Sequence, residues 1–68
     1  MTVSDLIEEF NRLEVLYPNG SWAAWFNAAD TMKEKYGLHW EDLNGEQLLE
    51  FWYFATDLDT IRESEEIL

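Results

Sequence analysis

The sequence predicts an all-α protein, a small three-helix bundle with a short irregular or single-turn connector before the last helix. Two observations lead there: apolar residues recur at helical spacing in three separate segments, and each segment carries its own capping signal. Three helices joined by short turns most simply form an antiparallel bundle, in which each apolar stripe finds a neighbour to bury against.

The first helix is expected from Thr2 to Tyr17, where Val3, Leu6, Ile7, Phe10, Leu13, Leu16 and Tyr17 follow i, i+3, i+4, i+7 spacing. Thr2 or Ser4 can cap it, Asp5 suits the positive end of the helix dipole, and Arg12 can pair with Glu8 or Glu9. Pro18 ends it, Asn19-Gly20 supplies turn residues, and Ser21 is placed to cap the next helix.

That second helix should run from Ser21 to Tyr36, burying Trp22, Trp25, Phe26, Ala29, Met32 and Tyr36, with Gly37 as the left-handed residue past its end. Lys33 and Lys35 oppose the negative end of its dipole. Ala23, Ala24 and Ala28 make part of this helix thin enough for a neighbour to come close. Leu38 to Leu43 is too short for an ordinary helix, and its Leu38, Trp40 and Leu43 should tuck under the bundle from a loop or a single helical turn.

The last helix is expected from Asn44 to about Glu65. Asn44 is its N-cap, and Gln47 completes a capping box. Leu48, Phe51, Trp52, Phe54, Ala55, Leu58 and Ile61 fall on one arc of this helix, with Glu46, Glu50, Asp57 and Ser64 opposite. Arg62 can reach Asp59 or Glu66, whereas Glu63, Glu65 and Glu66 crowd the negative end of the dipole and should fray it.

Residues 1-68 read as a single acidic helical domain, since the chain is too short for two cores and holds no repeat, low-complexity tract or linker. Hydrophobic residues are 47% and aromatics 16% of it, enough to build a core and unlike an acidic disordered tail. There is no cysteine, so disulfides and thiolate zinc sites are excluded, and a cytoplasmic location is the expectation. No apolar run approaches the roughly 20 residues of a membrane span, and the N-terminal residues are acidic where a signal peptide is basic.

Chemistry has few candidates. His39 is the single histidine and would have to serve as the base of any Ser-His-Asp arrangement, while Ser4, Ser21 and Ser64 read better as caps or surface. One histidine cannot make a zinc site. Asp42 to Glu46 resembles part of a calcium loop in composition but lacks its register, and Asp57 and Asp59 diverge by roughly 160° to 200° on a helix, too far to share a metal. Single glycines at 20, 37 and 45 form no phosphate cradle. The expectation is a protein without enzymatic activity, cofactor or metal.

Surface is what remains. Four basic against fifteen acidic residues give a net charge of -11, which repels nucleic acid and anionic lipid and favours a basic protein partner. Glu41, Asp42, Glu46, Glu50, Tyr53 and Asp57 are the expected partner-binding set: spaced carboxylates on a rigid helix can imitate the phosphate row of a nucleic acid, with Tyr53 among them as an aromatic anchor. In size and charge the chain resembles small acidic cysteine-free inhibitors of phages and mobile elements that block host defence or transcription proteins. The sequence therefore suggests an inhibitor or regulator of a nucleic-acid-binding protein. An adaptor using its aromatic surface, or a structural subunit of a larger assembly, is the alternative. A helical hairpin assembled as a homodimer would show the same stripes.

Overall fold

A computed structural model describes residues 2–67, and all of its regular structure is helical. Four α-helices follow one another: α1 (Val3–Leu16), α2 (Gly20–Tyr36), α3 (Gly45–Ala55) and α4 (Leu58–Ile67), with a 3-10 turn (Trp40–Asp42) before α3. The all-α, bundled character matches the sequence expectation; the count of three helices does not. The segment predicted as one helix from Asn44 is two.

The break lies at Thr56 and Asp57, and its cause is local hydrogen bonding. Thr56 leaves helical geometry (φ -116°, ψ 19°) while both its N–H and its hydroxyl donate to the Trp52 carbonyl, at 2.9 and 2.5 Å. The Asp57 carboxylate then accepts from the N–H groups of Asp59 and Thr60 at 3.0 and 3.3 Å, and its carbonyl accepts from Ile61 N–H. An aspartate satisfying the orphan donors of a first turn is an N-cap. Asp57 therefore starts α4 instead of continuing the acidic face of α3.

The other boundaries follow the capping chemistry closely. Thr2 and Asp5 exchange side chain to backbone bonds at 3.2 Å around the start of α1, and Asn44 and Gln47 do the same at 2.9 and 3.0 Å for α3. Gly37 closes α2 at φ 68°, a conformation that costs glycine no Cβ clash. Ser21 is not the N-cap of α2. The helix starts one residue earlier, and the buried Ser21 hydroxyl turns back to donate to the Tyr17 carbonyl at 2.6 Å.

The larger core joins Leu6 and Phe10 of α1, Trp25, Ala28 and Met32 of α2, Leu43, and Leu48, Phe51 and Ala55 of α3. Trp25 is its centre, with ring centroids 4.6 Å from Phe10, 5.0 Å from Trp40 and 5.0 Å from Phe51. Trp40 is held here by the 3-10 turn, so the connector does fold under the bundle; Leu43 is buried with it, while Leu38 stays exposed. A second cluster of Leu13, Ala24 and Ile61, flanked by Tyr17, attaches α4.

The phase of burial differs from the expectation. In α2 the buried side is Ser21, Ala24, Trp25, Ala28 and Met32, so the helix presents its small residues to its neighbours and turns Trp22 and Phe26 toward solvent. Ile7 and Leu16 of α1 and Phe54 and Leu58 of the last segment are likewise exposed. The physical reason is shape. The Cα envelope measures 31 × 23 × 15 Å, scarcely two helix diameters through its thinnest axis, so a broad apolar arc can be covered only in part.

Close approach of α2 and α4 depends on Gly20. A Cβ at that position would clash with the Ile61 carbonyl oxygen and lie 2.9 Å from the backbone nitrogen of Glu65, so backbone, not a flexible side chain, blocks it. Gly20→Ala is expected to destabilise the fold by about 2 kcal/mol, in the range for overpacking a tight contact. Gly45 has open space around its would-be Cβ, and Gly45→Ala should leave stability unchanged or raise it by about 0.5 kcal/mol. Urea denaturation of the two variants checks the contrast, and equal effects would refute the role given to Gly20.

Candidate functional site

The residues expected to bind a partner begin in the 3-10 turn. Glu41 and Asp42 are exposed there, and the turn is fixed from both sides: Glu41 N–H donates to His39 Nδ1 at 3.3 Å, and Trp40 is anchored in the core. Glu46 follows in the first turn of α3, exposed and on the side of the helix dipole that favours a carboxylate. These three carboxylates form no ion pair among the described residues.

Tyr53 lies two turns along α3 from Glu46 and is 63% exposed, with Leu49 between them also exposed. Its ring meets the half-buried Trp52 edge-on at 5.3 Å, which limits where the phenol can swing. An aromatic ring and a leucine thus stand in the open beside Glu46, a hydrophobic centre with an acidic border.

Glu50 behaves differently from its neighbours. Its carboxylate is drawn to α2, where it pairs with Lys35 and accepts a 2.5 Å hydrogen bond from the Tyr36 hydroxyl. The bond from Lys35 and then that from Tyr36 hold the Glu50 carboxyl below the ordinary glutamate range, and the bond to Glu50 raises both Lys35 and Tyr36. The three side chains form a clasp between the C-terminal end of α2 and the middle of α3. Glu50 therefore belongs to the structure of the bundle at least as much as to its outer face. Asp57, the last of the set, is exposed but serves as the cap of α4, beyond the end of α3.

Two acidic features were missed from the sequence. Glu65 has a role beyond the end of its own helix: one carboxylate oxygen accepts from the backbone N–H groups of Asn19 and Gly20 at 2.9 and 2.6 Å, and so caps α2 from 45 residues away. A carboxylate at a helix N-terminus satisfies orphan donors and opposes the positive dipole end. No sequence signal pointed to this: Asn19 is itself a good capping residue, and only the structure shows that its side chain makes no cap bond, which leaves those donors to Glu65. The second feature is the row Asp59, Glu63, Glu66, exposed at i, i+4 and i+7 on α4, whose spacing is visible in the sequence. Arg62 joins neither Asp59 nor Glu66 in an ion pair; its Nε donates to the Tyr17 hydroxyl at 3.2 Å.

The chemical inventory is short. His39 is exposed, with Nδ1 engaged by the turn. Among the described residues no three His, Asp or Glu side chains are grouped as metal ligands would be. No helix of the described residues is long and apolar enough to cross a membrane. Comparison with protein-family models, curated sequences and solved structures gives no match.

The clasp has a pH signature whose sign follows from the shifts. Glu50, lowered in the folded state, adds stability above the ordinary glutamate value and loses it as pH falls through its depressed folded value. Lys35 and Tyr36, raised in the folded state, add stability below their ordinary values and lose it as pH rises through the folded ones. Denaturation midpoints measured across pH should therefore show Glu50→Gln flattening part of the acid limb and Tyr36→Phe part of the alkaline limb. Unchanged limbs in both variants would show that the clasp does not persist in solution. Separately, Glu65→Ala should cost about 1 kcal/mol in urea denaturation, the usual loss for a helix cap.

Proposed function

We propose that this chain is a non-enzymatic, protein-binding inhibitor or regulator whose partner is a nucleic-acid-binding protein, engaged through the acidic surface around α3. The observation that carries the reading is the exposed border of Glu41, Asp42 and Glu46 beside the open Leu49 and Tyr53 side chains. Exposed carboxylates on the 3-10 turn and the first turn of α3 offer a basic groove a cluster of negative charge of the kind phosphates present, and the net charge of -11 attracts such a groove from a distance. Asp59, Glu63 and Glu66 form a further exposed acidic row on α4. The phage and mobile-element inhibitors that the chain resembles in size and charge are the model for this role, with proteins of host defence or transcription as the class of target.

An aromatic-surface adaptor or structural subunit is the second reading, favoured by Leu49 and Tyr53 themselves, which a pure charge mimic does not need. Capture of the partner from source cells, followed by binding at low and high salt, separates the two. The mimic loses affinity steeply as salt rises and competes with nucleic acid. Glu46→Gln should weaken it more than Glu50→Gln, because the Glu50 charge is already met by Lys35. Binding that ignores salt and both charge removals, yet is abolished by Tyr53→Ala, would reject the mimic in favour of the adaptor.

A further inference from the structure

Trp22 and Phe26 form an aromatic pair on the outside of α2, with ring centroids 5.4 Å apart and exposures of 42% and 59%. Trp22 also meets Phe10 of α1 edge-on at 4.8 Å, which places the pair along the seam between the two helices. Ile7, one turn before Phe10, is exposed on the same helix. Both rings are left substantially open to solvent, and we propose that a second copy of the chain covers them.

Charge selects this occupant. Val15 to Ala29 is the longest stretch of the sequence without a charged residue, fifteen positions in a chain of net charge -11. Two copies meeting through almost any other surface would bring like charges together, and repulsion would oppose the contact. Meeting through Trp22 and Phe26 brings together the segment where that cost is smallest, and apolar area is removed from water in exchange.

The ends of the patch are also complementary to themselves. Phe26 lies seven residues from both Asn19 and Lys33, two helical turns each way. A two-fold axis at Phe26, with α2 running antiparallel to its copy, therefore brings Lys33 of one chain to the Asn19 end of the other. Glu14, one turn beyond Phe10, lies at that end. Neither Lys33 nor Glu14 forms an ion pair among the described residues, so each is available across the axis. A surface that pairs with its own copy in this way is what a two-fold contact requires.

A standard interface removes roughly 800 Å² from each partner, a substantial part of the 4521 Å² this chain exposes. Three large side chains cover much less than that, so the association is a reversible dimer. It leaves the α3 surface free, and its loss would not bear on the inhibitory reading.

Sedimentation equilibrium of the full chain, from micromolar to millimolar and at low and high salt, tests the proposal. The expected result is a monomer–dimer equilibrium that tightens as salt screens the repulsion between copies, the opposite sign from binding a basic partner. Phe26→Ser should weaken it at least about tenfold, as loss of an aromatic anchor does, with unchanged helical circular dichroism because the ring is exposed. Lys33→Glu should weaken it too, through the lost pairing with Glu14. A chain that stays monomeric at millimolar concentration in high salt overturns the proposal. So does a dimer that forms equally well in Trp22→Ser and Phe26→Ser, or one that loosens as salt is added.

Discussion

The fold depends first on the ring of Trp25. Set on α2, it touches Phe10 from α1, Trp40 from the 3-10 turn and Phe51 from α3, so that three separate segments meet on one ring. Its edge-to-face contacts with Trp40 and Phe51 suit the electrostatics of aromatic rings as well as their area. In a chain of 68 residues few side chains can be fully enclosed, and a large ring in the middle removes more water-exposed surface per residue than any aliphatic could. Everything but α4 is arranged around it.

Attachment of α4 follows a different logic, that of close backbone approach. Gly20, Ser21 and Ala24 remove bulk from one side of α2, Ile61 fills the space, and Glu65 closes the contact by satisfying the exposed amides of the α2 N-terminus. The same small residues that admit α4 force Trp22 and Phe26 to the other side. An exposed aromatic pair is thus the geometric consequence of a tight helix contact, and the surface available for association is created by the way the core is packed.

Charge distribution follows from the same packing. Of the four basic side chains, Arg12 pairs with Glu9, Lys35 with Glu50, and Arg62 with the Tyr17 hydroxyl. Arg12 and Lys35 are paired with carboxylates, whereas Arg62, bonded to a neutral hydroxyl, keeps its charge on α4 near Asp59. Glu41, Asp42, Glu46 and the α4 row stand exposed as the acidic surface, while Val15 to Ala29 carries no charged side chain. One small body thus carries an acidic surface and an uncharged one.

Helix identity was legible in the sequence because period, caps and stops are local properties: the Thr2 cap, the Asn44 capping box, Pro18 and Gly37 act within a turn of their own positions. The break at Thr56 and Asp57 was equally local, but the apolar arc running through it resembled one continuous helix, and Asp57 was read as part of its acidic face instead of as a cap. The phase of burial was not legible. A broad stripe on α2 is compatible with several rotations, and only the arrival of α4 at Gly20 selected the one that hides alanines and exposes Trp22 and Phe26. For the acidic set, composition and spacing identified Glu41, Asp42, Glu46 and Tyr53 as surface. That Glu50 would turn to Lys35 and Tyr36, and that Glu65 would cap a helix 45 residues away, was decided by tertiary structure, because those partners are distant in sequence and become neighbours only when the chain has folded.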